Sequence, residues 1–75
     1  MKQLNIMLKS IDQVKTFVNE VSGIDSDVFL CSGRYVIDAK SIMGIFSLDL
    51  SKPLTVEIEN WDEEYMNIFQ KYLVK

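Results

Sequence analysis

Asp38-Ala39-Lys40-Ser41-Ile42-Met43-Gly44-Ile45-Phe46-Ser47-Leu48 is where a β-branched run gives way to a short apolar helix. Tyr35, Val36 and Ile37 precede it and stop at Asp38 and Ala39. Ser41 then stands where an N-cap belongs, its hydroxyl placed to accept from one of the next free amides. Ile42, Met43, Ile45, Phe46 and Leu48 follow without a charge among them. A helix of about two turns buries only one stripe, so some of these side chains are expected at the surface. Gly44, a poor helix former, leaves room for another backbone or a partner to come close. The segment reads either as a short core helix with a serine cap or as a contact surface with a phosphorylatable hydroxyl at its rim.

Upstream, Val28 and Leu30 alternate with Phe29 and Cys31 as a strand, and Ser32-Gly33 supplies a tight turn into Tyr35–Asp38, its hairpin partner. Before that hairpin, Ile11, Val14, Phe17, Val18 and Val21 recur at helical spacing and predict one apolar face. Ser10 and Gln13 form a capping box at its start, each answering the other's free amide, and Gly23 ends it. Leu4, Ile6 and Leu8 alternate with Gln3, Asn5 and Met7 as a half-buried first strand.

Downstream, Leu50-Ser51-Lys52-Pro53 is a loop, because proline disfavours helix in the residue before it. Leu54, Val56 and Ile58 alternate with Thr55, Glu57 and Glu59, the cleanest strand pattern in the chain. Asn60 and Glu63 read as a second capping box. Trp61, Tyr65, Ile68, Phe69, Tyr72 and Leu73 then line one side of a closing helix. Asp62, Glu63 and Glu64 lie at its positive end, and Lys71 and Lys75 near its negative end, as the helix dipole prefers. The order βαββαβα, with one polar and one apolar face on each strand, predicts an α+β fold: a two-layer open-faced sandwich. Periodicity does not set the strand pairing.

With 75 residues, 48% of them hydrophobic and 25% charged, the chain is expected to fold as one domain, residues 1–75, and not to be disordered. No apolar run reaches the roughly 20 residues needed to cross a bilayer, and Met1-Lys2-Gln3 is too polar to begin a signal peptide. One cysteine, Cys31, cannot pair within the chain, so a cytoplasmic setting is expected. A net charge of -3 argues against nucleic acid and suits a protein partner presenting basic side chains.

Catalytic chemistry is poorly supplied. There are no histidines, so the commonest general base and metal ligand are both missing. Cys31 has no second cysteine or basic neighbour to lower its pKa and reads as an ordinary thiol. Asp62-Glu63-Glu64 reads as a solvated helix start, not a metal site. No Gly-rich phosphate loop follows a strand. Neither an enzyme nor a cofactor or metal is expected.

Lys40-Ser41-Ile42-Met43-Gly44, followed by Ile45, Phe46, Ser47 and Leu48, resembles the regulatory-serine segment of the HPr family, the small phosphocarriers of the bacterial sugar phosphotransferase system (PTS). Ser26-Asp27-Val28 resembles the start of that family's second strand, and no gap is needed from Ser26 to Leu48, although Gly33 falls one place early. The resemblance implies an antiparallel four-stranded sheet covered on one face by helices. It also implies a phosphoryl-carrying histidine at the first helix N-cap, in a Gly-Leu-His-Ala-Arg-Pro type of motif. Counting back from Ser26, the histidine position falls on Ser10, the arginine position on Asp12 and the proline position on Gln13.

A serine hydroxyl needs a neighbouring base to become nucleophilic, and its phosphate ester is a poor donor. Asp12 places a negative charge where a positive one meets phosphate. Ser10 is therefore expected to cap the helix, without phosphocarrier activity. Ser41 matches the serine that HPr kinase/phosphorylase modifies in low-GC Gram-positive relatives. The resemblance thus implies a bacterial regulatory or adaptor protein like Crh, the histidine-less HPr paralogue of carbon catabolite repression. Lys40, Ile42, Met43 and Phe46 would meet a kinase or transcription regulator. The alternative is an HPr-like interaction module unrelated to sugar transport. It would bind another protein or a second copy of itself through Ile42-Met43-Phe46 or the open sheet face carrying Met7 and Phe29.

Overall fold

Strand pairing follows from which rows of side chains can be buried together. The computed structural model describes residues 1–74. Its strands are β1 (Lys2–Ile6), β2 (Val28–Ser32), β3 (Tyr35–Asp38) and β4 (Leu54–Ile58), with α1 (Ile11–Val21) after β1 and α2 (Ile42–Phe46) after β3. The chain closes on a 3-10 turn (Glu63–Tyr65), α3 (Met66–Phe69) and a second 3-10 turn (Gln70–Tyr72). All neighbouring strands are antiparallel, in the order β1-β4-β2-β3. The expected α+β open-faced sandwich and its βαββαβα order are therefore present.

The register puts Leu4, Val56, Leu30 and Ile37 in one row across all four strands on the helix-covered face. Phe17 of α1 packs edge-to-face on Phe69 and Tyr72, with ring centroids 6.0 and 5.4 Å away. Two parallel rows lie on the open face: Gln3, Glu57, Phe29 and Asp38, and beside them Asn5, Thr55, Cys31 and Val36. Buried Ser26 ties the entry of β2 to the exit of β4. Its Oγ accepts from the Asn60 amide at 2.8 Å, so the buried hydroxyl has a partner.

Several local expectations are corrected. Ile11 is 63% exposed, and only Val14, Phe17 and Val21 of this helix are fully buried. Ser10 does cap α1, accepting from Gln13 N at 3.1 Å, but Gln13 Oε1 accepts from Lys9 N at 2.6 Å rather than from Ser10. The hairpin turn is Gly33-Arg34, not Ser32-Gly33: Ser32 already pairs with Tyr35, and Gly33 takes the positive φ of 58° that this turn needs. The Asn60–Glu63 box does not form. Asp62 is the cap, accepting from Glu64 N at 3.0 Å, and the Glu63 carboxylate accepts from Trp61 Nε1 at 3.0 Å.

Met7 lies beyond the end of β1, where its amide donates to the Tyr72 carbonyl at 2.9 Å. It therefore does not extend the open face. Leu73 bridges to Ile6, and Val74 N donates to Asn5 O at 3.0 Å, so the C-terminal segment covers the outer edge of β1. Lys71 reaches Glu20 of α1 at 2.8 Å instead of serving only the end of its own helix. The expectation for Lys75 lies outside the described residues.

Candidate functional site

Two capped helix starts carry the candidate hydroxyls. At α2, Ser41 Oγ accepts from Gly44 N at 3.3 Å, and Ser41 N donates to Asp38 O at 3.0 Å. Asp38 Oδ1 also accepts from Lys40 N at 2.8 Å, so the turn from β3 into the helix is held by side chain and backbone together. The Ser41 hydroxyl is exposed and donates to nothing among the described residues. Gly44 is small for a local reason. A Cβ there would lie 3.2 Å from Ser41 Oγ and 3.4 Å from Ile37 Cδ1, so glycine lets the cap close and α2 approach β3.

Around Ser41 the apolar run divides as a two-turn helix must. Ile45 is buried and Ile42 and Leu48 are half-buried, while Met43 is 76% and Phe46 38% exposed. Lys40 is half-buried, its ammonium donating to the Ile24 carbonyl at 2.8 Å. Its charge is thus engaged in holding the loop after α1. Ser41, Met43 and Phe46 form the exposed part of the predicted patch.

Ser10 lies elsewhere. It lines an open cleft of about 330 Å³ with Leu8, Lys9, Ile11, Leu50 and Ser51, and Asp12 is exposed in the first turn of α1. Among the described residues no cluster of three or more His, Cys, Asp or Glu could hold a metal ion, and no helix is long and apolar enough to cross a membrane.

The open sheet face holds a polar chain that sequence alone did not expose. Cys31 Sγ lies 3.0 Å from Glu57 Oε1, and Gln3 Nε2 donates to Glu57 Oε2 at 3.0 Å. Alternation puts Cys31 and Glu57 on outward positions, but only the β1-β4-β2 order makes them neighbours. Partial burial and the adjoining carboxylate push the thiol up from its ordinary value to about 11. The Glu57 carboxyl is held below the usual range by the bond from Cys31 and then by the one from Gln3. A thiol so protected is not a nucleophile near neutral pH.

The folded state holds the Cys31 proton more tightly than an unfolded chain does. That contribution is complete below about pH 9 and is lost as pH rises through about 11. Alkylation of the folded protein by iodoacetamide, followed by mass spectrometry, should stay slow until the pH nears that upper value. Glu57→Gln should move the onset down toward the ordinary thiol range. Rapid labelling of the parent protein near pH 8 would contradict this.

The family model described as "PTS HPr component phosphorylation site" matches residues 13–71, most of the chain. The chain belongs to the HPr family. The match begins at Gln13, so neither Ser10 nor Asp12 is within it, whereas Ser41 is. HPr-C-His from Thermoanaerobacter tengcongensis, known from a crystal structure, is 26% identical, with a TM-score of 0.79 over 95% of this chain and 89% of that one. The phosphocarrier protein HPr from Bacillus anthracis str. Ames is 30% identical, with a TM-score of 0.68 over 97% and 94%. No curated protein matches the chain. The HPr fold is thus kept along nearly the whole length of both relatives, in a member with no histidine in its sequence.

Proposed function

We propose that this HPr-family protein does not relay phosphate and acts instead as a regulatory or adaptor protein, read through Ser41 and its apolar neighbours. The carrying observation is the complete absence of histidine. The family's relay needs an imidazole nitrogen, which is nucleophilic near neutral pH and passes the group onward readily. Ser10, at the position counted for that histidine, is engaged as the cap of α1, and Asp12 beside it repels an incoming phosphoryl group. This reading takes residues 1–75 as one HPr-like domain, not an enzyme, working in the cytoplasm of a bacterium like the histidine-less Crh branch.

At Ser41, a kinase of the HPr kinase/phosphorylase type would move the γ-phosphoryl group of ATP onto Oγ. The bond from the β,γ-bridging oxygen to the γ-phosphorus breaks, a P–O ester forms, the hydroxyl proton goes to a base on the kinase, and ADP leaves. The modification adds about -1.5 to -2 charge beside exposed Met43 and Phe46. The resulting surface is apolar in the middle and anionic at its rim, suited to the arginines of a transcription regulator or other protein partner.

Incubation with HPr kinase and ATP is expected to add one phosphoryl mass, and Ser41→Ala is expected to remove that gain entirely. The substitution also deletes the cap, at about 1 kcal/mol, so folding is checked alongside. An unmodified parent protein would count against the regulatory reading. Asp12 favours a second reading, because the family's positive charge there helps hold partners as well as phosphate. In it the protein is an interaction module outside sugar transport, and the Ile42-Met43-Phe46 patch or the Phe29 face is the contact.

A further inference from the structure

We propose that the open edge of β3 pairs with β3 of a second copy, antiparallel about Val36, to form a symmetric dimer with one continuous eight-stranded sheet. The sheet has two edge strands, and they are finished differently. The outer edge of β1 is covered by the C-terminal segment, through the Ile6–Leu73 bridge and the bond from Val74 N to Asn5 O. β3 is the other edge, with no strand beyond it among the described residues.

The direction of its free backbone groups follows from register. Ser32 pairs with Tyr35 and Leu30 with Ile37, and the next amide in that series, Ala39 N, donates to Val28 O at 2.9 Å. In an antiparallel pair the bonding residues alternate along each strand. Residues 35, 37 and 39 therefore turn their backbone groups toward β2, and Val36 and Asp38 turn theirs outward. Tyr35 and Val36 are 69% and 60% exposed on this edge.

Edge strands usually discourage such pairing with charge. Here the charges are arranged to permit it between identical copies. Arg34 and Asp38 stand two residues to either side of Val36. An antiparallel partner centred on Val36 sets Val36 against Val36, Tyr35 against Ile37, and each Arg34 against the other copy's Asp38. Arg34 makes no ion pair among the described residues, so its charge is free for that role. The contact is isologous and closes on itself. Four-residue strands bury little area, so the dimer is a weak one, with a dissociation constant of ~100 μM.

Sedimentation equilibrium of the full chain up to ~1 mM is expected to show reversible dimerisation. Arg34→Glu gathers four acidic groups at the joint, and Val36→Lys places two ammonium groups on the two-fold axis. Each should weaken association at least ~10-fold. An equimolar mixture of the Arg34→Glu and Asp38→Lys variants restores both opposite-charge pairs and should dimerise where each alone does not. A parent chain monomeric at ~1 mM overturns the proposal, as do variants that dimerise like the parent or a mixture of folded variants that fails to associate. Asp38→Lys removes the bond to Lys40 N and could impair folding. In that event Arg34→Glu and Val36→Lys decide the matter, since both replace exposed side chains outside the described hydrogen bonds: weakening supports the pairing and parental affinity overturns it.

Discussion

Phe17→Ala is expected to remove a large share of the chain's folding stability and to lower its melting temperature steeply. Phe17 is fully buried and meets Phe69 and Tyr72 edge-to-face, so it joins α1 to the closing helical segment over the sheet. Truncating such a ring costs about 3–5 kcal/mol. At about 0.05–0.15 kcal/mol per residue, a chain of this length has roughly 4–11 kcal/mol in total. One substitution therefore removes a large share of its stability, and the melting temperature should fall by more than ~12 °C. Circular dichroism against temperature measures this. A fall of less than ~5 °C would mean that the three rings do not act as one unit. Ile11→Ala, at an exposed position on the same helix, is the control and should change the midpoint little.

In a phosphoryl-transfer assay with enzyme I and phosphoenolpyruvate, the parent chain is expected to take up no acid-labile phosphate. Ser10 offers an oxygen in place of a nitrogen, and that oxygen already accepts from Gln13 N at 3.1 Å. Ser10→His combined with Asp12→Arg replaces the nucleophile and converts a repelling charge into one that can meet phosphate. The double variant should label measurably and should exceed Ser10→His alone. Both lose the hydroxyl cap, at about 1 kcal/mol, so they are compared at a temperature where each remains folded. Acid-labile label on the parent chain would contradict the assignment of Ser10 as a cap.

The readable parts of this fold are those governed by short-range rules. Two-residue alternation in Leu54–Ile58 and helical spacing from Val14 to Val21 name their elements because a strand or helix buries one face whatever it packs against. The caps at Ser10 and Ser41 were legible for the same reason, each bond spanning only three residues. Reading failed where a choice among near neighbours was made by the surroundings. Asn60 could have capped the last helix, but its amide is held by Ser26, 34 positions earlier in the chain, and Asp62 takes the cap. Ile11 fits the apolar stripe of α1 and is nonetheless exposed, since helical spacing alone does not decide which turn of a helix is covered.

The candidate site divides in the same way. Lys40, Ser41, Ile42, Met43 and Phe46 could be named as a group because they are consecutive or share a helix. That Met43 and Phe46 stay out while Ile45 goes in, and that the Lys40 ammonium is spent on Ile24 O, required the packed structure.

By itself the amino-acid order determined the βαββαβα succession, the two serine caps and the absence of any imidazole, since each depends on residues close in sequence or on composition alone. Tertiary structure decided the rest. The order β1-β4-β2-β3 sets Cys31 beside Glu57, and the C-terminal segment closes one sheet edge while leaving β3 open. Those outcomes depend on contacts between distant segments, whose pairing is selected by the burial of all the apolar faces at once and not by any one segment's pattern.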